Sequence, residues 1–166
     1  MTDYETFVRA QLPGLLRYSV MLTGERDSAA DLVQDVLVKV YRHWPRISGS
    51  DRPDRYVTRM VTNQYLSWRR TWAARNLVPV REVPDRPEAD LGTAHAARDE
   101  MWRRMAGLPK RQRAVLVLRY YQQLTDPEIA DVLGCSAITV RGYAHRALAT
   151  LRIGIVAELA SGAKEI

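Results

Sequence analysis

Arg141, His145 and Arg146, with Thr139 just before them, place donor-rich side chains on the outer side of one short helix. Guanidinium groups offer forked N–H donors to base edges and phosphates, which suits a DNA major groove. The residues around them supply the rod such chemistry needs. Thr125–Leu148 (TDPEIADVLGCSAITVRGYAHRAL) reads as two helices joined by a tight turn, the second starting near Ser136. Thr125 followed by Glu128 is a capping box, and Pro127 is tolerated in the first turn, where no N–H bond is needed. Ala130 is small where two helices cross, and Gly134 sits where the turn wants a positive φ. Ile129, Leu133, Cys135, Val140 and Tyr143 have the spacing of side chains pointing between crossed helices. That pattern is a helix-turn-helix. The alternative is a helical hairpin buried in some core, but the small residue, the glycine and the five apolar positions agree on the first reading.

Two further constellations precede it. Arg59, Asn63 and Arg70, with Tyr56 and Arg69 nearby, combine cations, an amide and an aromatic ring, a set that holds phosphates and stacks unpaired bases. The plainer reading is a solubilised helix whose inner line is Val57, Val61, Tyr65, Trp68 and Trp72; for the two tryptophans the core is preferred. Asp31, Gln34, Asp35 and Val38 share another face. Taken alone, these acids read as a solvated surface near a helix N-terminus, where negative charge is favoured.

Helical periodicity runs through the elements that would position these residues, and no alternating strand pattern appears. A first helix is predicted from Tyr4 towards Gly14, with Phe7, Leu12, Leu15 and Leu16 inside. Pro13 and Gly14 would kink it before Leu15–Leu22, and Thr23-Gly24 punctuates. A second helix spans Asp27–Trp44, with an apolar stripe of Leu32, Val33, Val36, Leu37, Val40, Tyr41 and Trp44 and an Asp35–Lys39 pair at i,i+4. Pro45 would end it, leaving a loop over Arg46–Arg52 before a helix from Pro53 or Asp54 to Trp72. Residues 73–97, with Pro79, Pro84 and Pro87 among Glu82, Asp85, Glu88 and Asp90, read as an extended acidic linker. A second module, 98–166, holds Met101–Met105, a boundary at Pro109, a helix buried through Val115, Leu116, Leu118 and Tyr121, and the helix-turn-helix, whose second helix continues through Leu151. The fold class is all-α, with modules at 1–72 and 98–166.

Bulk properties fit. A hydrophobic share of 46% in 166 residues supports packed cores, and a formal charge of +6 favours a polyanionic partner. The single cysteine, Cys135, excludes an internal disulfide and suits a reducing cytoplasm as a small core residue. No apolar run is long enough for a membrane span and no signal-peptide pattern is present, so a cytoplasmic protein is expected. His43, His95 and His145 are scattered, and neither a metal spacing nor a Walker or dinucleotide loop occurs. No cofactor, no metal and no enzymatic activity are expected.

Three stretches in order resemble the sigma-70 family of bacterial RNA polymerase sigma factors, specifically its extracytoplasmic-function group, which keeps only regions 2 and 4, and actinobacterial members in particular. SAADLVQDVLVKVYRHW resembles the polymerase-binding helix, YVTRMVTNQYLSWRR the minus-10 helix, and LPKRQRAVLVLRYYQQLTDPEIADVLGCSAITVRGYAHRALATLR region 4. The resemblance implies that Asp31, Gln34, Asp35 and Val38 dock on the clamp helices of the beta-prime subunit, with the beta flap as a second contact. It implies that the Arg46–Arg52 loop, through Arg46 and Ser48, takes a flipped minus-10 base, and that Tyr56, Arg59, Asn63 and Arg70 line the path of the non-template strand. Captured bases would stabilise the open duplex, so binding energy drives melting without ATP. Arg141, His145 and Arg146 would read the minus-35 duplex, with Thr139, Lys110, Arg111 and Arg113 on phosphates. The acidic linker would thread the channel later used by RNA. An anti-sigma factor is a further implied partner.

The sequence departs from the family at five positions. Ile138 stands where the family often has Gly, Gly142 where it has Ser, Tyr143 for Arg, Tyr56 for Trp and Ser67 for Asp, so the minus-35 preference does not transfer. The rival reading is a stand-alone helix-turn-helix regulator whose first module dimerises or senses an effector; a third is an adaptor that binds another regulator through apolar helix faces.

Overall fold

The computed structural model describes residues 2–75, 100–101 and 103–162, with side chains described as far as Ser67 in the first stretch and Ile153 in the last. The chain is all-α and divides into two compact units, Met1–Pro87 and Glu88–Ile166. No helix among the described residues is long and apolar enough to cross a membrane. The acidic linker expected over 73–97 lies, beyond Arg75, outside the described residues.

In the first unit, α1 (Tyr4–Thr23), α2 (Arg26–Arg42) and α4 (Pro53–Arg75) pack against one another, with the short α3 (Trp44–Ser48) between the last two. The expected break in α1 does not occur, because the helix runs through Pro13. A proline costs one N–H bond and a ring clash with the preceding turn. Phe7, Leu15, Tyr18 and Leu22, all buried on either side of it, outweigh that local loss. Gly24 ends α1 in the left-handed region (φ 79°), donating its N–H to the Val20 carbonyl at 2.7 Å.

α2 buries Ala29, Leu32, Val33, Val36 and Val40. Tyr41, assigned to the stripe by periodicity, is 66% exposed, and its ring meets Tyr4 edge-on at the rim of the unit. Trp44 belongs to α3, half-buried against Phe7. The loop expected over Arg46–Arg52 is therefore helical in its first part. Pro45 sits in the first turn of α3, where its missing N–H costs nothing, and fully buried Ile47 ties the turn to the core. Lys39 does not pair along its own helix with Asp35; its ammonium donates to Gln64 Oε1 on α4 at 2.6 Å.

At the centre, the Tyr18 hydroxyl lies 2.6 Å from Thr62 Oγ1, and Thr62 donates its own proton to the Thr58 carbonyl at 2.8 Å. Tyr18 is therefore the donor of the pair. Burial raises the Tyr18 phenol above its ordinary value. An unfolded phenol ionises near pH 10, so alkali removes the proton from the unfolded chain first. The unit's stability is then indifferent to Tyr18 below about pH 10 and falls as the pH rises further. Tyr18→Phe should flatten that alkaline decline in circular dichroism, while costing about 1 kcal/mol at neutral pH for the lost hydrogen bond. An unaltered alkaline limb in this variant would contradict the assignment.

In the second unit, a helical turn at 103–106 leads through buried Leu108 to α5 (Lys110–Leu116), a π-helical turn (Val117–Tyr121), α6 (Asp126–Leu133) and α7 (Ala137–Gly162). α5 packs on α7, and α6 packs on both α7 and the π turn. The π turn overturns the expected burial of Tyr121, which is 37% exposed. Its wider i→i+5 bonds, such as Gln122 N–H to the Val117 carbonyl at 3.2 Å, advance each residue through a smaller angle than an α-helix does. A position three residues past buried Leu118 thus fails to return to the core.

Candidate docking and nucleic-acid surfaces

Three exposed faces carry most of the residues singled out by the sequence. The first lies on α2. Asp31, Gln34, Asp35 and Val38, at i, i+3, i+4 and i+7, are all exposed and lie away from the buried Leu32, Val33, Val36 and Val40. Gln34 and Val38 also wall an apolar groove of about 630 Å³ between α1 and α2, completed by Leu12, Leu16, Leu37 and Tyr41. Leu12 and Leu16, predicted to be interior, are half-buried for that reason. They escaped the sequence reading because apolar side chains at helical spacing do not say whether they fill a core or line a groove.

The second face lies on α4 and its entry. Tyr56, Arg59 and Asn63, at i, i+3 and i+7, are exposed, opposite the fully buried Val57 and Val61. Arg46 on α3 is exposed too, whereas Ser48 is half-buried and its hydroxyl turns back to the Pro45 carbonyl at 3.4 Å. Arg52 forks onto Asp54, Nε to Oδ1 at 3.1 Å and Nη2 to Oδ2 at 2.8 Å. That hydrogen bond holds the Asp54 carboxyl below the usual carboxylate range and fixes the approach to α4. Arg70 lies on α4, but its side chain is outside the described residues, as are those of Arg69, Trp68 and Trp72.

The third face is built by the helix-turn-helix. Both halves of the capping box form: Thr125 N–H donates to Glu128 Oε2 at 2.8 Å, and Glu128 N–H to Thr125 Oγ1 at 3.4 Å. Gly134 takes the left-handed conformation (φ 65°, ψ 41°) between α6 and α7, where a side chain would cost about 1–2 kcal/mol. Ser136 then caps α7 by accepting the Thr139 N–H at 3.1 Å. Ile129, Ala130, Leu133 and Val140 are buried at the crossing, while Cys135 and Tyr143 are only half-buried. Val140, Ala144, Ala147 and Leu151 form the inner line of α7. The opposite side presents Ile138, Arg141 and His145 at i, i+3 and i+7, all exposed, with Arg146 beside them.

Four details refine this third face. Arg146 lies back along its helix, its guanidinium next to Gly142 and its Cζ 5.2 Å from the Tyr143 ring centre. Thr139 is half-buried, and its hydroxyl is 2.9 Å from that of Ser136. Ile138, not chosen from the sequence as a contact, is 77% exposed in the first turn of α7. Isoleucine in an amphipathic stretch reads as core, and only its place opposite Val140 reveals otherwise. Arg113 corrects an expectation: at 5% exposure it is inside the unit, whereas Arg111 is exposed. The segment Arg113–Leu118 is buried all round, so a basic run in the sequence does not place every cation outside.

Residues 7–75 match the sigma-70 region 2 family and residues 98–151 the sigma-70 region 4 family. An RNA polymerase sigma-E factor of Streptomyces coelicolor is 36% identical over 157 residues, covering 93% of this chain and 87% of the relative. The ECF RNA polymerase sigma factor SigL of Mycobacterium tuberculosis is 31% identical over 143 residues, covering 84% and 81%. In fold, the chain resembles the sigma factor RpoE solved with the anti-sigma factor NepR from Bartonella quintana, at TM-score 0.74 and 20% identity over 92% of this chain and 96% of that one. CnrH, solved with the cytosolic domain of CnrY, gives TM-score 0.62 at 21% identity over 93% and 88%. With both regions matched in order and relatives alike along most of their length, the chain belongs to the sigma-70 family of RNA polymerase sigma factors, in its extracytoplasmic-function group.

Proposed function

We propose that this chain acts in the cytoplasm as a non-catalytic initiation subunit: it binds core RNA polymerase, selects promoters through minus-35 and minus-10 elements, and promotes their melting. The observation that carries the reading is the ordered match to regions 2 and 4 along one chain. The three exposed faces supply a division of labour. Asp31, Gln34, Asp35 and Val38 dock on the beta-prime clamp helices, and the bordering groove through Leu12 and Leu16 gives that contact an apolar part. Tyr56, Arg59 and Asn63, with Arg70, follow the non-template strand, while Arg46 and Ser48 stand beside the flipped base. A tyrosine face and cations hold an unstacked base at about 1–3 kcal/mol each, comparable to the cost of unstacking it. Arg141, His145 and Arg146 read the minus-35 duplex, and Ile138 adds an apolar contact of the kind thymine methyl groups accept. Lys110, Arg111 and Thr139 serve phosphates; Arg113 does not. The module limits are 1–72 and 98–166, joined by residues 73–97, and an anti-sigma factor is a further partner.

Run-off transcription tests the whole. Adding the purified chain to cognate core polymerase on supercoiled template should yield transcripts from a defined start without ATP-driven remodelling. Tight operator binding by the chain alone, with no response to core enzyme, would instead identify a stand-alone regulator.

A further inference from the structure

Asp126 stands where three elements of the second unit meet. It opens α6 directly after the Thr125 cap, and the capping box and Pro127 fix its backbone. Its Oδ1 accepts a hydrogen bond from Arg119 Nη2 on the π turn, and its Oδ2 lies 3.5 Å from Arg141 Nε on α7. The carboxylate is the more sheltered partner, its side chain 23% exposed against 64% for Arg141. Arg119 is likewise sheltered, at 25%. One buttressed acid thus touches the root of the most central cation on the exposed face of α7.

We propose that Asp126 is a specificity-determining positioning residue for duplex recognition, holding the Arg141 guanidinium by its Nε edge so that its two terminal nitrogens face a guanine. The inference rests on the reading that α7 enters the major groove. An arginine side chain has many rotamers, and bidentate recognition of guanine O6 and N7 requires one plane and one direction. A carboxylate against Nε restricts that choice before DNA arrives, so less freedom is lost on binding. The same negative charge, close to the DNA face, repels phosphates wherever no guanine rewards the arginine. Asp126 therefore acts in two senses: it strengthens cognate contact through geometry and weakens non-cognate contact through charge. Arg119 supports it from behind, neutralising part of the charge and keeping the carboxylate from swinging towards solvent.

The test uses the full chain in holoenzyme with cognate core polymerase. Minus-35 duplexes selected from a randomised pool define the preferred sequence, and Arg141→Ala identifies the guanine position that loses discrimination. At that position, Asp126→Asn should lower the preference for guanine by about 5- to 10-fold, within the range of one bidentate pair. Affinity for a scrambled duplex should rise about twofold as the negative charge goes. Asp126→Glu, which keeps the charge but moves the carboxylate, should lose the guanine preference without the gain on scrambled DNA. A merely structural role would lower both affinities together. Undiminished guanine preference in both Asp126 variants, or equal losses on both duplexes, overturns the proposal while leaving base reading by Arg141 intact. If Arg141→Ala itself shows no position-specific effect, the parent reading falls, and this inference with it.

Discussion

Replacing Asp31 and Asp35 together by lysine is expected to weaken association with core polymerase by about a hundredfold or more, leaving the far-ultraviolet circular dichroism unchanged. Both carboxylates are exposed and stand on one stripe with Gln34 and Val38, beside the α1–α2 groove. Reversing two charges sets like against like across a surface that the docking proposal requires to be basic. Such juxtaposition costs several kcal/mol, and each 1.4 kcal/mol is about tenfold in affinity. The fold has little to lose, since the buried line of α2 is untouched and exposed substitutions usually shift stability by about 0.5 kcal/mol or less. Asp27 also keeps a negative charge in the first turn. Titration of labelled core enzyme reads the effect, and wild-type affinity in the double variant would remove α2 from the docking surface.

Alanine at both Arg141 and Arg146 should abolish minus-35 discrimination while core binding stays at the wild-type level. Each bidentate arginine–guanine contact is worth about 1–3 kcal/mol, so losing two such readers costs on the order of a hundredfold or more on a preferred duplex. The two contributions will not be equal. Arg141 is held from the side by Asp126, whereas Arg146 rests against Tyr143 and must leave that ring to reach a base, surrendering a contact of about 0.5–1 kcal/mol. Single variants should therefore rank Arg141→Ala as the more damaging. A normal footprint upstream of the start site with the double variant would refute the assignment of α7.

Local chemistry was the most legible part of this chain. Thr125 with Glu128, and Gly134 nine residues after the cap, specify their cap and turn almost by residue type alone, and both form as read. The exposed acidic stripe on α2 was equally plain, because its complement is an unbroken apolar line. Failures arose where a neighbouring element decided the outcome. Pro13 signals a break, yet packing on both sides carries α1 through it. Pro45 signals an end, yet it opens another helical turn because Ile47 finds the core. Arg113 lies in a basic run and is buried, and Tyr121 loses its predicted place because one π turn alters the angular step. The Asp126 bridge joins residues 7 and 15 positions away, through a turn no periodicity rule anticipates.

The exposed stripe of α7 from Ile138 to His145 covers seven helical steps, about 10.5 Å along the axis at 1.5 Å each. At about 3.4 Å per step of a nucleotide strand, that reach takes in only three or four letters of sequence. A word so short recurs by chance about once in every hundred positions, against the millions of competing sites in a genome. Upstream reading by one rod is thus too poor in information to name an address, and the odds become acceptable only when a second word is demanded of the same stretch of DNA.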